Sequence, residues 1–287
     1  MAYLVFDIGG TTTSVAVAHD LEHIAATKRF KTPTTAKAGV KKLLETAQEL
    51  LGGDVVVAGA AGGIRGQLAE DKRSLHRDLI LLHWADEPIV ATLEEVWQCP
   101  VWLENDTALA GLGEAVSGAG QGFEIVVYHS VSTGVGGVKI ESGQIDQATV
   151  GFEPGHQNID IDRTVLGDDF EPTLENLVSG RAVEQRMGSR PYDIPQSDAL
   201  WDTLANYLAQ GLRNSILYWS PEVIVLGGSM ILGNPCIKVD DIRKHTVQSL
   251  SGFTDCPFIT TAQHGDDSGL LGALTYLGQQ EVKQLTK

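Results

Sequence analysis

The chain has 287 residues, enough for one large or two medium domains, and its 43% hydrophobic and 20% charged content is that of an ordinary globular protein. Its 21 basic and 37 acidic residues give a net charge of -16, which argues against a general nucleic-acid or anionic-membrane surface. Cys99, Cys236 and Cys256 are far apart with no C-x-x-C, no basic leader precedes Asp7, and no apolar run is long enough to span a bilayer, so a cytoplasmic location is expected.

In chain order, strands are expected at Tyr3–Phe6, Ser14–Ala18 and Ile24–Phe30. A helix follows from about Ala36 to Leu51, with Val40, Leu43, Leu44, Ala47 and Leu51 at helical spacing and Gly52-Gly53 to end it. The β-branched run Asp54–Ala58 reads as a strand, Glu87–Trp97 as a helix, Pro100–Leu103 as a strand and Asn105–Val116 as a helix. The glycine-rich segment 117–122 is the candidate linker. Behind it come a strand at Phe123–His129, a glycine loop at Ser132–Gly137 and a strand at Val138–Glu141. Strand, glycine loop and strand thus occur near the start of each half, a weak internal repeat. Helices are expected at Thr173–Val178, Arg181–Met187, Asp198–Tyr218, Asp241–Leu250 and Ser268–Leu277. The strand Glu222–Leu226 opens into Gly227-Gly228-Ser229.

Two common nucleotide motifs are excluded: there is no G-x-x-x-x-G-K-[ST], and Gly134-Val135-Gly136-Gly137 does not complete G-x-G-x-x-G. Three other loops can meet a nucleotide. In Asp7-Ile8-Gly9-Gly10-Thr11-Thr12-Thr13, glycines bring main-chain N–H groups close to an anion, threonines add hydroxyl donors, and a carboxylate beside a phosphate implies a metal between them. Ser132–Gly137 repeats that chemistry, and Gly227-Gly228 lets an adenosine approach the backbone. At the end of another strand stands Glu104-Asn105-Asp106-Thr107-Ala108. Either polar residue could simply cap the helix, but Asp106 also suits proton removal from a hydroxyl during phosphoryl transfer. Finally, Glu153-Pro154-Gly155-His156 and Glu175 offer the carboxylates and imidazole that a ring of hydroxyls requires. Taken singly, His156 fits a structural role and Glu175 a helix N-terminus.

Together, Asp7–Thr11, Glu104–Ala108, Ser132–Gly137 and Glu153–His156 make the chain resemble the ROK sugar kinases, in the fold group of hexokinase, actin and the heat-shock chaperones. The resemblance runs from Asp7 to Ser268–Thr275. It implies an α/β fold of two similar domains of the actin-like ATPase (ribonuclease H-like) type with an interdomain cleft. Residues 1–117 would form the first domain, completed by a C-terminal helix at about 275–287, and residues 118–274 the larger second domain. It implies ATP and Mg²⁺, with Asp7 organising the metal indirectly. Gly9, Gly10, Thr11, Thr12, Thr133 and Gly134 would flank the phosphates, and Gly227 and Gly228 the adenosine. Asp106 would be the catalytic base. Asn105, Asp106, Glu153, His156 and Glu175 would contact the sugar, with Gly62 at its border. A homodimer is implied, with no nucleic-acid or membrane partner.

Two departures stand out. Many family members carry a cysteine-rich zinc knuckle after the Gly-His pair, whereas residues 157–173 here contain no cysteine, so no zinc site is expected and His156 is left to the sugar. Many also place an asparagine where Ile80 stands. The expected activity is ATP-dependent phosphorylation of a glucose-like hexose, at its 6-hydroxyl. N-acetylmannosamine, N-acetylglucosamine, fructose and allose are alternative acceptors, and polyphosphate an alternative donor. A non-catalytic sugar sensor of the same fold is disfavoured by acidity and by the six residues before Asp7, too few for a DNA-binding domain.

Overall fold

A computed structural model describes residues 1–149 and 151–286, so Val150 and the final residue of the expected terminal helix lie outside the described residues. The strands are β1 (Ala2–Ile8), β2 (Thr12–Ala18), β3 (Ile24–Lys31), β4 (Val57–Ile64), β5 (Gln67–Leu68), β6 (Leu75–Arg77), β7 (Val101–Asn105), β8 (Ile125–Val131), β9 (Val135–Glu141), β10 (Gln144–Ile145), β11 (Val223–Gly227) and β12 (Phe258–Thr261). The helices are α1 (Ala36–Leu51), α2 (Ile89–Trp97), α3 (Asp106–Ser117), α4 (Leu174–Val178), α5 (Gly180–Met187), α6 (Leu200–Trp219), α7 (Ser229–Leu232), α8 (Val239–Leu250) and α9 (Ser268–Leu285).

The chain divides into two units. The first takes Met1–Val116, the short stretch Gln147–Gly151 and the chain from Asp266; the second takes Ser117–Asp146 and Phe152–Gly265. Each is built on a five-stranded sheet, in the order β3-β2-β1-β4-β7 and β10-β9-β8-β11-β12. The plans match strand for strand. Three consecutive strands run antiparallel, and the first of them pairs in parallel with a later strand, which pairs in parallel with the last. The repeat faintly visible in the sequence is therefore a repeat of topology.

In the first unit, Leu4, Phe6 and Ile8 alternate onto the face that carries the buried Trp84 and Leu93, whereas Tyr3, Val5 and Asp7 face the other way, as the period-2 pleat requires. α9 packs on β1 and β4. It crosses α3 at backbone contact: a Cβ on Gly272 would stand 1.7 Å from the Leu109 carbonyl oxygen. Ser268 at its start donates to the buried Glu114 carboxylate at 2.7 Å. In the second unit, Leu204, Leu208 and Leu212 of α6 join Val127, Ile224 and Ile259 of the sheet in one core.

Local signals explain the best-read element. α1 starts on Thr35, whose hydroxyl accepts from the Ala38 N–H, and stops at Gly52 in the left-handed conformation. Other expectations are corrected. β4 starts at Val57 instead of Asp54, since Val55 and Val56 precede its pairing with β1 and are 38% and 66% exposed. β9 starts at Val135, which shortens the second glycine loop to Ser132–Gly134. α9 continues to Leu285, past Leu277, and β12 closes the second sheet where no strand was expected.

Candidate active site

In the first unit β1, β4 and β7 end side by side at Ile8, Ile64 and Asn105, the carboxyl ends at which α/β sheets bind ligands. Asp7 pairs with Gly63, on the same face of the sheet. A Cβ on Gly63 would lie 3.2 Å from Asp7 Oδ1 and 3.0 Å from the Asp106 Cα, so two carboxyl-bearing residues close on one glycine. Gly62 points the opposite way, its Cβ position 2.2 Å from the Phe6 ring. Strand alternation thus turns Gly62 into the core and gives the site-facing position to Gly63.

Asp7 Oδ1 is shut off from solvent and has no hydrogen-bond partner among the described residues. The other oxygen lies against the first turn of α9, 2.8 Å from a Cβ position on Gly269, where the helix N-terminus carries partial positive charge. Burial pushes the Asp7 carboxyl up to about 8; the Asp106 charge adds to this, and Arg29 opposes it. Arg29 is itself held by Ser14 Oγ at 3.3 Å and Asp267 at 2.6 Å. A carboxylate oxygen left unpaired beside an anion-holding turn suits a hydrated Mg²⁺ that arrives on substrate phosphates, since Mg²⁺ keeps several waters and needs few protein ligands. Among the described residues no cluster of three or more His, Cys, Asp or Glu forms a metal cage.

Asp106 opens α3. Its Oδ1 accepts the Thr107 N–H at 2.7 Å and the Thr107 hydroxyl at 3.3 Å, which orients Oδ2 for another partner. Burial raises its pKa, against the charge of Arg65 and the two Thr107 donors. Asn105 serves the backbone: Oδ1 caps α3 by accepting from Ala108 N–H at 3.0 Å, and Nδ2 donates to the Gly66 carbonyl at 3.2 Å. One N–H and one lone pair of its amide remain.

The Gly9–Thr12 turn is wired to present donors. Its Thr12 carbonyl accepts from Gly9 N–H at 3.1 Å, its Gly9 carbonyl from the Thr32 hydroxyl at 2.8 Å and its Thr11 carbonyl from Thr32 N–H at 2.9 Å. With these oxygens engaged behind the turn and Thr11 and Thr12 exposed, an approaching anion meets N–H and hydroxyl groups. Thr32 and Arg65 were not singled out in the sequence. Arg65 extends from the end of β4, and its Nη1 lies 3.2 Å from a Cβ position on Gly10, beside Ile80 Cγ2 at 3.0 Å. No local motif announces either residue, because both act across distant loops.

In the second unit the β8–β9 turn occupies the place that the Gly9–Thr12 turn has in the first. The Ser132 N–H bonds to the Gly134 carbonyl at 2.9 Å, and Thr133 is exposed. Glu175 on α4 braces this turn: its Oε2 accepts the Val135 N–H at 2.8 Å and stands 2.6 Å from a Cβ position on Gly134, an approach only glycine permits. Glu153 and His156 are exposed on the 3-10 turn Pro154–His156, whose Gly155 sits against the Val135 carbonyl. Gly227 and Gly228 pack against Tyr128 and Val131, and Ser229 Oγ is 3.0 Å from Ser132 Oγ. All the residues expected of this half therefore gather around the end of the β8–β9 hairpin. In the loop after His156, Asp160 accepts N–H groups of Val165 at 3.1 Å and Leu166 at 2.7 Å, and Arg163 donates to the Phe170 carbonyl at 2.9 Å.

Two α/β units with duplicated sheets and glycine turns define a protein of the sugar-kinase fold type. The ROK family pattern matches residues 3–280, and the chain belongs to the ROK family. It is 28% identical to a fructokinase of Lactococcus lactis subsp. cremoris, over 89% of this chain and 87% of that protein. It is 27% identical to a glucokinase of Streptomyces coelicolor, over 93% of this chain and 94% of that protein. Among solved structures, the ROK hexokinase of Thermus thermophilus superposes with a TM-score of 0.79 at 27% identity, covering 99% of this chain and 100% of its own.

Proposed function

We propose that this protein is an ATP-dependent sugar kinase that phosphorylates a glucose-like hexose at its 6-hydroxyl. The observation that carries the reading is the arrangement around Gly63: a carboxylate oriented by Thr107, a second carboxylate with an unpaired oxygen, and a donor-presenting turn on the same sheet end. The relatives' activities, fructokinase and glucokinase, support a sugar hydroxyl as acceptor.

In this reading the Gly9–Thr12 and Ser132–Gly134 turns hold nucleotide phosphates through N–H and hydroxyl donors, and Asp7 would help to hold the Mg²⁺ that accompanies them. That ion supplies charge neutralisation on the phosphates when bound. Gly227 and Gly228 leave room for the adenosine. Asn105, Glu153 and His156 orient the sugar, and Glu175 adds to that set through the turn it braces. The acceptor hydroxyl gives its proton to Asp106 Oδ2 as its oxygen attacks the γ-phosphorus. Positioning and electrostatics supply most of the rate.

A coupled ADP-release assay over glucose, fructose, N-acetylglucosamine, N-acetylmannosamine and allose, with ATP or polyphosphate as donor, tests the reading. Glucose-stimulated ADP release is expected, together with a loss of about 10²–10⁴-fold in turnover for Asp106→Asn at unchanged sugar affinity. Sugar-independent release would point to a simple ATPase, and near-native turnover of the variant would remove Asp106 as the base.

A further inference from the structure

Arg65 has a side chain built to be aimed. Its Nε donates to Asp78 Oδ2 at 3.0 Å, with the arginine side chain 26% exposed and the aspartate 5%. Asp78 is fixed in turn: its Oδ1 accepts the N–H groups of Ile80 and Leu81, both at 2.7 Å. Burial would raise the Asp78 pKa, but the Leu81 N–H, the Arg65 charge and the Ile80 N–H outweigh it and keep the carboxylate ionised. One edge of the guanidinium is thereby clamped. Neither Nη group has a hydrogen-bond partner among the described residues. These donors lie over the phosphate turn, with Nη1 at 3.2 Å from a Cβ position on Gly10. Arg65 is also the charge that most opposes the rise in the Asp106 pKa.

A cation held over the donor-holding turn, whose charge is felt at the acceptor's base, is placed to meet the transferred group. We infer that Arg65 is a catalytic residue whose Nη groups contact the γ-phosphoryl group in transit, with Asp78 as its positioning residue. The inference rests on the kinase reading above. As the sugar oxygen bonds to the γ-phosphorus, its proton goes to Asp106. The bond from phosphorus to the β–γ bridging oxygen breaks, and its electron pair leaves on ADP. In between, negative charge is spread over the three equatorial oxygens and the attacking and leaving oxygens, and a planar, permanently charged fork can meet it. Because Asp78 already neutralises part of the guanidinium and fixes its plane, little reorganisation is needed when that charge appears.

The test compares wild type, Arg65→Ala, Arg65→Gln/Asp78→Asn and Asp78→Asn by steady-state ADP release, with sugar and nucleotide affinity measured separately by calorimetry. The double variant leaves no buried unpaired charge, so it keeps the test usable if the single one misfolds. Expected are a fall in kcat of about 10²–10³-fold on loss of Arg65, with both affinities within a few-fold of wild type, and a smaller fall for Asp78→Asn. Added guanidinium at sub-denaturing concentration restores part of the Arg65→Ala turnover. An unchanged kcat, or a loss confined to sugar KM, overturns the role of Arg65 and leaves the kinase reading standing. Absence of sugar-stimulated ADP release in wild type overturns both.

Discussion

Asp7 Oδ1 and the α-carbon of Asp106 both close on Gly63, 3.2 and 3.0 Å from the point where a Cβ on that glycine would lie. One missing methyl group therefore separates the residue proposed to serve the metal from the proposed base. Burial is the main cause of the raised pKa of Asp7 in the ligand-free protein, and the neighbouring Asp106 charge adds to it.

The two neighbouring glycines should separate stability from turnover. Gly63→Ala pushes apart the residues around it by tenths of an ångström and should lower kcat about 100-fold, with the fold kept. Gly62→Ala drives a methyl into the buried Phe6 ring, 2.2 Å away. It should cost about 1–3 kcal/mol of stability. Urea unfolding and ADP release on both variants check this; equal effects of both on both measures would contradict the facing assigned to Gly63.

The Asp7 carboxyl makes ligand-free stability depend on pH. Its pKa rises from 3.8 to about 8 in the folded chain, so between these values the folded state binds the proton that the unfolded state has released. The contribution is complete below the unfolded value and is lost as pH rises through the folded one. Asp7→Asn should match wild type near the lower limit and exceed it by a few kcal/mol above the upper one, on the scale of about 1.4 kcal/mol per pKa unit. It should also lose turnover. Unfolding curves across this pH range decide it; parallel curves would show that Asp7 does not titrate there.

His129 should act at lower pH with the opposite sign. Its Nε2 pairs with Ser215 Oγ at 3.0 Å, its Nδ1 has no hydrogen-bond partner among the described residues, and burial lowers its pKa from 6.5 to about 4. The unfolded chain binds the proton first, so stability is complete above the unfolded value and falls as pH drops towards the folded one. The loss should approach about 3 kcal/mol, and His129→Gln should flatten that part of the curve. An unchanged slope in the variant would assign the acid sensitivity elsewhere.

Glu175, a proposed sugar residue, also braces a turn. Glu175→Ala should lower the stability of the ligand-free protein by about 1–3 kcal/mol, because the Val135 N–H loses its partner. A residue that touches only the sugar would leave ligand-free stability unchanged, so thermal unfolding without ligands checks the point.

Where the sequence was legible, the signal was local. α1 has its cap, its apolar spacing and its terminal glycine within one stretch, and both glycine turns sit between readable strands. Where it was not, the determinant was a distant neighbour. β4 runs through Gly59, Gly62 and Gly63 because adjacent parallel strands and packed side chains occupy the space on either side, and glycine-rich strands carry no propensity signal of their own. Asn105 was read as both cap and sugar contact; its bond to Ala108 N–H shows the cap, which its residue type alone already favoured.

By itself the sequence determined the family and the two glycine turns, because these lie in short segments whose chemistry is local. Only the tertiary structure decided that Gly63 and not Gly62 faces Asp7, since strand register sets facing and register is fixed by pairing with β1. It alone placed Arg65 over Gly10, clamped by Asp78, and Thr32 behind the turn. Those contacts join residues far apart in the chain, and a side chain's direction at such range follows from packing, not from its neighbours in sequence.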